Sequence, residues 1–199
     1  MNPLNPVNSG PSFWSPVVAG LVPYVPGEQP AVANLVKLNT NENPYPPSPR
    51  AQAAIRAATE QGLQLYPDPE STALRRTIAA QHGLAPEQVF VGNGSDEVLA
   101  HAFFAFFQQR GPLLVPDITY SFYQVYCGLY GIVQRVVPLD ATLRLDVEAF
   151  AVAEGQDVAG VVVANPNAPT GIGIPLAQIE RLLQLHPQRV VLVDEAYVD

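Results

Sequence analysis

Lysine is nearly missing. Lys37 is the single lysine in 199 residues, and every other basic side chain is an arginine. Any chemistry that needs a lysine amine has one candidate. Cysteine is as scarce: Cys127 stands alone, which excludes an internal disulfide and a cysteine-built metal cluster and fits a reducing compartment. Positive charge is short overall. The net charge is −8, so no nucleic-acid footprint is expected. The longest apolar stretch, VLAHAFFAFF, is too short to span a bilayer and is interrupted by His101. The N-terminus MNPLNPVNSGPSFW lacks the basic region and apolar run of a signal peptide. A cytoplasmic protein without a membrane partner is therefore expected. What is present is 48% hydrophobic residues, in line with an ordinary globular core. A chain of this length buries about 70% of its unfolded surface. Proline is abundant at 21 residues, concentrated before residue 70.

Residues 1–36 are proline-rich without a sustained period, and predict an extended arm. Residues 37–199 carry the domain. Ser48 and Pro49 predict the cap and first position of a helix through RAQAAIRAATEQ. Asp68, Pro69 and Glu70 predict a second helix start, with Gly83 as its stop. After that, strand-like runs alternate with helix-length segments. QVFVGN, PLLVPD, VQRVVPL, VAGVVVAN and RVVLVD are the strands. SDEVLAHAFFAFFQQ, TYSFYQVYCGLYG, DVEAFAVAE and PLAQIERLLQL are the helices. Continuous Val, Leu and Ile in the strands predict an α/β fold with a mostly parallel sheet covered on both faces. Ligands of such sheets bind beyond the carboxyl ends of the strands.

Four loops at those ends carry the chemistry. GNGSDEVL has Gly92 and Gly94 before a helix opened by Ser95, Asp96 and Glu97, a geometry that aims free N–H groups at an anion. The plain alternative is a capped helix with acids suited to its dipole. In PDITYSFY, Tyr120 could stack on a flat ligand or fill the core. NPNAPTGIGI packs two Asn, two Pro and Gly171 into seven residues, as a shaped turn or a ligand contact. In VVLVDEAYVD, Asp194 follows four apolar residues, and a desolvated carboxylate needs a partner. That partner is an N-cap, an arginine or a protonated ring nitrogen, and Tyr197 could donate to an oxygen on the same ring.

Taken in order, LVKLNTNENPYPPSP, LYPDPESTALRRTIAA, GNGSDEVL, ITYSFY, NPNAPTG and VVLVDEAYVD resemble the fold-type-I aminotransferases that use pyridoxal 5′-phosphate (PLP). The likeness spans about residues 20–199, and LNTNENP with LVPYVPG makes the chain most similar to the histidinol-phosphate aminotransferases within that group. The resemblance implies a PLP-binding large domain. It places Asp194 on the pyridinium nitrogen, Tyr197 on the ring 3-oxygen and Tyr120 on the ring face. Ser95 and the Asp96 N–H would hold the phosphate. Tyr66 would reach the phosphate from the neighbouring subunit of a homodimer, and Tyr24 and Asn43 would contact the substrate. Many relatives have Asn where this chain has Ala168, so Asn167 is the expected stand-in. The implied reaction moves an amino group between L-histidinol phosphate and 2-oxoglutarate, giving glutamate. An aromatic aminotransferase or a threonine-phosphate decarboxylase of the same fold is the alternative.

The same resemblance implies a Schiff-base lysine downstream of the acid at 194, and Lys37 lies on no such loop. The expectation is an N-terminal part of an aminotransferase, with the small domain and part of the large domain missing, and no transamination by the 199 residues alone. A non-catalytic chain that binds PLP or only dimerises is the rival of a different class. A dinucleotide-binding domain fits less well, because GNGSDE lacks the glycine fingerprint.

Overall fold

The computed structural model describes residues 13–22, 24, 27–28, 30–32, 34–109, 111–153 and 155–198. They form two compact units, one drawn from Met1–Tyr24 and Asn93–Asp199, the other from Val25–Gly92. The boundary expected at residue 36 coincides with neither cut. The first element, α1 (Pro16–Ala19), is one turn, capped by Ser15 Oγ accepting the Val18 N–H at 3.3 Å.

The Val25–Gly92 unit is built on local rules. Helix α2 (Pro49–Thr59) starts as predicted: Pro49 needs no hydrogen bond there, and Ser48 Oγ accepts the Ala51 N–H at 3.2 Å. Helix α3 (Thr72–His82) starts later than expected. The Asp68 carboxylate accepts the Glu70 N–H at 3.0 Å and the Thr72 N–H at 2.7 Å. It therefore closes a turn over Pro69 and Glu70, and the helix proper begins at Thr72. Gly83 ends α3 at φ 66, the left-handed conformation that costs glycine least. Arg75 ties α3 to the following 3-10 turn Pro86–Gln88, donating to the Val89 carbonyl at 2.9 Å and the Pro86 carbonyl at 2.8 Å. The expected strand QVFVGN does not form. Val89 is extended, at φ −115 and ψ 124, but among the described residues no neighbour completes a ladder beside it. Extended backbone becomes a strand only by pairing.

The other unit holds the sheet. Helix α4 (Ser95–Ala102) passes into a π-helical turn, Phe103–Phe107, whose Phe103 and Phe107 are fully buried. Strands β1 (Leu113–Pro116), β2 (Gln134–Val137), β3 (Gly160–Ala164) and β4 (Val190–Asp194) are all parallel, in the order β2-β1-β3-β4. Helix α5 (Phe122–Tyr130) and helix α6 (Leu176–Leu185) occupy two of the crossovers. The helix expected over 146–154 shrinks to a 3-10 turn, Val147–Phe150. Val147 and Phe150 are both buried one turn apart, and Ala151 returns to extended backbone at ψ 142.

The pleat divides the core. Leu113, Val115, Val162 and Ala164 face Leu99, Phe103, Phe107, Tyr123 and Tyr126 on one side. Leu114, Val161 and Val163 face Phe150, Ile174 and Leu182 on the other. Each fully buried aliphatic side chain contributes about 1.5–3 kcal/mol. Gly160 permits the closest approach: a Cβ there would lie 2.6 Å from both the Phe107 ring and the Val190 carbonyl oxygen. Because the strands are parallel, their carboxyl ends share one edge, and the loops after β1, β3 and β4 gather there. Among the described residues no helix is long and apolar enough to cross a membrane.

Candidate active site

Asp194 is the last residue of β4, in register with Ala164 of β3. Its carbonyl accepts the Asn165 N–H at 2.8 Å, which fixes the start of the NPNAPTG loop against it. The carboxylate has two donors. Oδ2 accepts the Tyr123 hydroxyl at 2.7 Å, and Oδ1 accepts the Ala196 N–H at 3.2 Å. Among the described residues no arginine or lysine forms a salt bridge with it. Tyr123 is 1% exposed. Burial, then the neighbouring Asp194 charge, pushes its phenol far above the usual tyrosine range, so it stays a donor.

The start of α4 lies at the same edge. Gly94, at φ 82, precedes the helix without a side-chain acceptor for its first N–H groups. Asp96 is held by helix α5 and by Tyr120, two residues ahead of it. Tyr120 donates to Asp96 Oδ1 at 3.1 Å, and Tyr126 donates to the Asp96 carbonyl at 2.8 Å. Burial, followed by the Asp96 charge, raises both phenols, which keeps them protonated. The Tyr120 ring stands edge-on to Tyr123, 5.5 Å between centroids.

Ser95, Asp96, Tyr120, Asp194 and Tyr197 line a single cavity of ≈ 130 Å³ with Ala164, Pro166, Ala168 and Ala196. Five of the residues singled out from sequence therefore meet. Asn167, the expected stand-in for an Asn at 168, is not part of this lining. Asn167 Nδ2 donates to the Ile118 carbonyl at 2.9 Å and to Thr170 Oγ1 at 3.2 Å, and Ala168 forms the cavity wall. Tyr24 lies outside the lining, its ring edge-on to Phe122 of its own chain at 5.2 Å. Tyr66 and Asn43 belong to the other unit. Tyr66 is wholly exposed, and Asn43 Oδ1 accepts the Tyr45 N–H at 2.9 Å. A larger cavity of ≈ 330 Å³, lined by Asp140, Arg144, Asn167 and Gln178 among others, carries little of this chemistry. Its Asp140 carboxylate is taken up by the N–H groups of Thr142 and Arg144.

Sequence reasoning missed Tyr123 and Tyr126. Their signal was spacing: with Tyr120 they fall at i, i+3 and i+6, one face of a helix. Which acids that face meets depends on contacts from 24 to 71 residues away.

Residues 33–199 match the family described as aminotransferase class I and II. The chain belongs to the class I and II aminotransferases. It is 63% identical to the histidinol-phosphate aminotransferase of Acetobacter pasteurianus and 60% identical to that of Gluconacetobacter diazotrophicus, each over 94% of this chain. It spans about half the length of these curated relatives, 51% of each. Among solved aminotransferases it is similar to the histidinol-phosphate aminotransferase of Sinorhizobium meliloti in complex with pyridoxal 5′-phosphate. That match has a TM-score of 0.81 and 26% identity, over 96% of this chain and 52% of that one.

Proposed function

We propose that the cavity between the start of α4 and the end of β4 is a PLP site. We further propose that this sequence is part of a histidinol-phosphate aminotransferase acting on L-histidinol phosphate and 2-oxoglutarate. The reading rests on one observation. Asp194, a carboxylate paired with no cation among the described residues, opens into the same cavity as the first turn of α4 and the Tyr120 ring. The donor set suits the group from end to end. Ser95 and the open N–H groups of α4 offer an anion site for a phosphate. Asp194 can accept a hydrogen bond from a protonated ring nitrogen and hold the proton there. Tyr197 offers a phenol to a ring oxygen, and Tyr120 and Ala168 give the cavity flat walls. Bound there, the pyridinium ring supplies an electron sink for the substrate's α-carbon.

Lys37, the single lysine, belongs to the other unit, where its ammonium is taken up by Glu42 at 2.5 Å. The expectation is that the 199 residues bind the cofactor without an imine and turn over no substrate. Tyr66 and Tyr24 are proposed to serve across a homodimer, and Asn43 to contact the substrate, in a cytoplasmic enzyme. That is the reading that gives the exposed Tyr66 a use.

Titration of the chain with PLP, followed by absorbance and borohydride reduction, tests this. Saturable binding, weakened at least tenfold by Asp194→Asn and leaving no reduced adduct, is expected. A reducible band on Lys37, or equal affinity in Asp194→Asn, contradicts it.

A further inference from the structure

Tyr123 is a buried group that touches the proposed site through Asp194 but is not part of the cavity lining. Its hydroxyl lies 2.7 Å from Asp194 Oδ2, and its ring is fixed by Phe103, 5.8 Å away, and by Tyr120, 5.5 Å away. A buried phenol needs an acceptor for its hydroxyl, and here the acceptor is the carboxylate of Asp194, 71 residues away. We propose that Tyr123 is a positioning residue: it holds the Asp194 carboxylate in its ionised form and aimed at the ring nitrogen, so that the shared proton stays on nitrogen.

This rests on the reading of the cavity as a PLP site. The physical reason is a competition for one proton. When the carboxylate is well stabilised, the pair exists as carboxylate and pyridinium. When a donor to the carboxylate is removed, its negative charge is left partly desolvated. The proton then moves from the ring nitrogen to an Asp194 oxygen, giving a neutral acid and a neutral pyridine. No other atom is transferred. Among the described residues the Tyr123 hydroxyl bonds Asp194 Oδ2 at 2.7 Å, whereas the Ala196 N–H on Oδ1 is more distant at 3.2 Å. The phenol is thus the shorter of the two bonds and the one a side-chain change can delete.

The test uses the 199-residue chain and 4-deoxypyridoxine 5′-phosphate labelled with ¹⁵N in the ring. This analogue has no aldehyde, so amines cannot capture it. The ¹⁵N resonance at pH 7 reports how much proton sits on the ring nitrogen. With the unsubstituted chain the bound resonance lies at the protonated position. Tyr123→Phe moves it part-way toward the neutral position and weakens binding about tenfold. Asp194→Asn moves it fully. Phe107→Leu disturbs the same core one ring further away, lowers the melting temperature, and leaves the resonance in place. If Tyr123→Phe behaves like the unsubstituted chain while Asp194→Asn shifts the signal, Tyr123 is not a positioning residue and the cofactor reading stands. If Phe107→Leu shifts it as far as Tyr123→Phe, Tyr123 acts through packing alone and the inference fails. No binding by the unsubstituted chain, or no shift in Asp194→Asn, overturns the cofactor reading itself.

Discussion

In the sheet unit the polar groups that matter meet across long stretches of chain: Tyr123 reaches Asp194 over 71 residues, and Asn167 reaches Ile118 over 49. In Val25–Gly92 the side-chain bonds among the described residues span 14 residues at most, that of Arg75 to the Val89 carbonyl. Burial follows the same division. Phe103, Phe107, Leu113, Leu182 and the β3 valines are sealed in the sheet unit. Among the described residues between 27 and 92 the one buried side chain is that of Ala79. The sheet unit is held by a packed interior that places a few polar groups. The other unit is held by caps and turns, each of which acts where it stands.

Core truncation gives the largest contrast. Phe103→Ala removes a fully buried ring that touches Phe107, Tyr123 and Tyr126. It should cost about 3–5 kcal/mol in urea unfolding followed by circular dichroism. Ile55→Ala, in a side chain 58% exposed on α2, should stay within about 0.5 kcal/mol. Equal losses would break the comparison. A smaller effect is expected at the cap of α2. Ser48→Ala should cost about 1 kcal/mol of local helix stability, read as faster amide exchange from Ala51 onward with the sheet amides unchanged.

The smallest effect is a pH response. The N–H of Thr72, and then that of Glu70, hold the Asp68 carboxyl below the usual aspartate range. A depressed folded-state value means that the stabilisation is present above the unfolded value, near pH ~3.9. It is lost as pH falls through the lower folded value. The first turn of α3 should therefore fray on acidification below about pH 4, seen as loss of exchange protection at Thr72–Arg75, and Asp68→Ala should abolish that response. Fraying that spreads to the sheet at the same pH would show the two regions to be less independent than their bonding suggests.

Sequence rules worked where the cause was local. Ser48, Pro49 and Gly83 set helix ends by their own geometry, and the valine runs of β3 and β4 are strands for the reason continuous apolar runs suggest. They failed where a neighbour decided. Residues 89–92 carry the strand pattern but join no sheet among the described residues, and DVEAFAVAE stops after one turn once Val147 and Phe150 are buried. The site follows the same line. The positions of Tyr120 and Asp194 beyond strand ends followed from the α/β alternation, that of Ser95 from the helix start after Gly94, and the family resemblance supplied their roles. The orientation of Asn167 and the grip of Tyr123 on Asp194 depended on turns and contacts that no spacing encodes.

The most direct measurement is a crystal structure of the chain with 4-deoxypyridoxine 5′-phosphate bound. The account predicts the ring nitrogen about 2.7–3.0 Å from an Asp194 oxygen, the phosphate at the first turn of α4, and the Tyr123 hydroxyl still on Asp194. A ring lodged instead beside Arg144 and Gln178, or Asp194 turned onto an arginine, would contradict it.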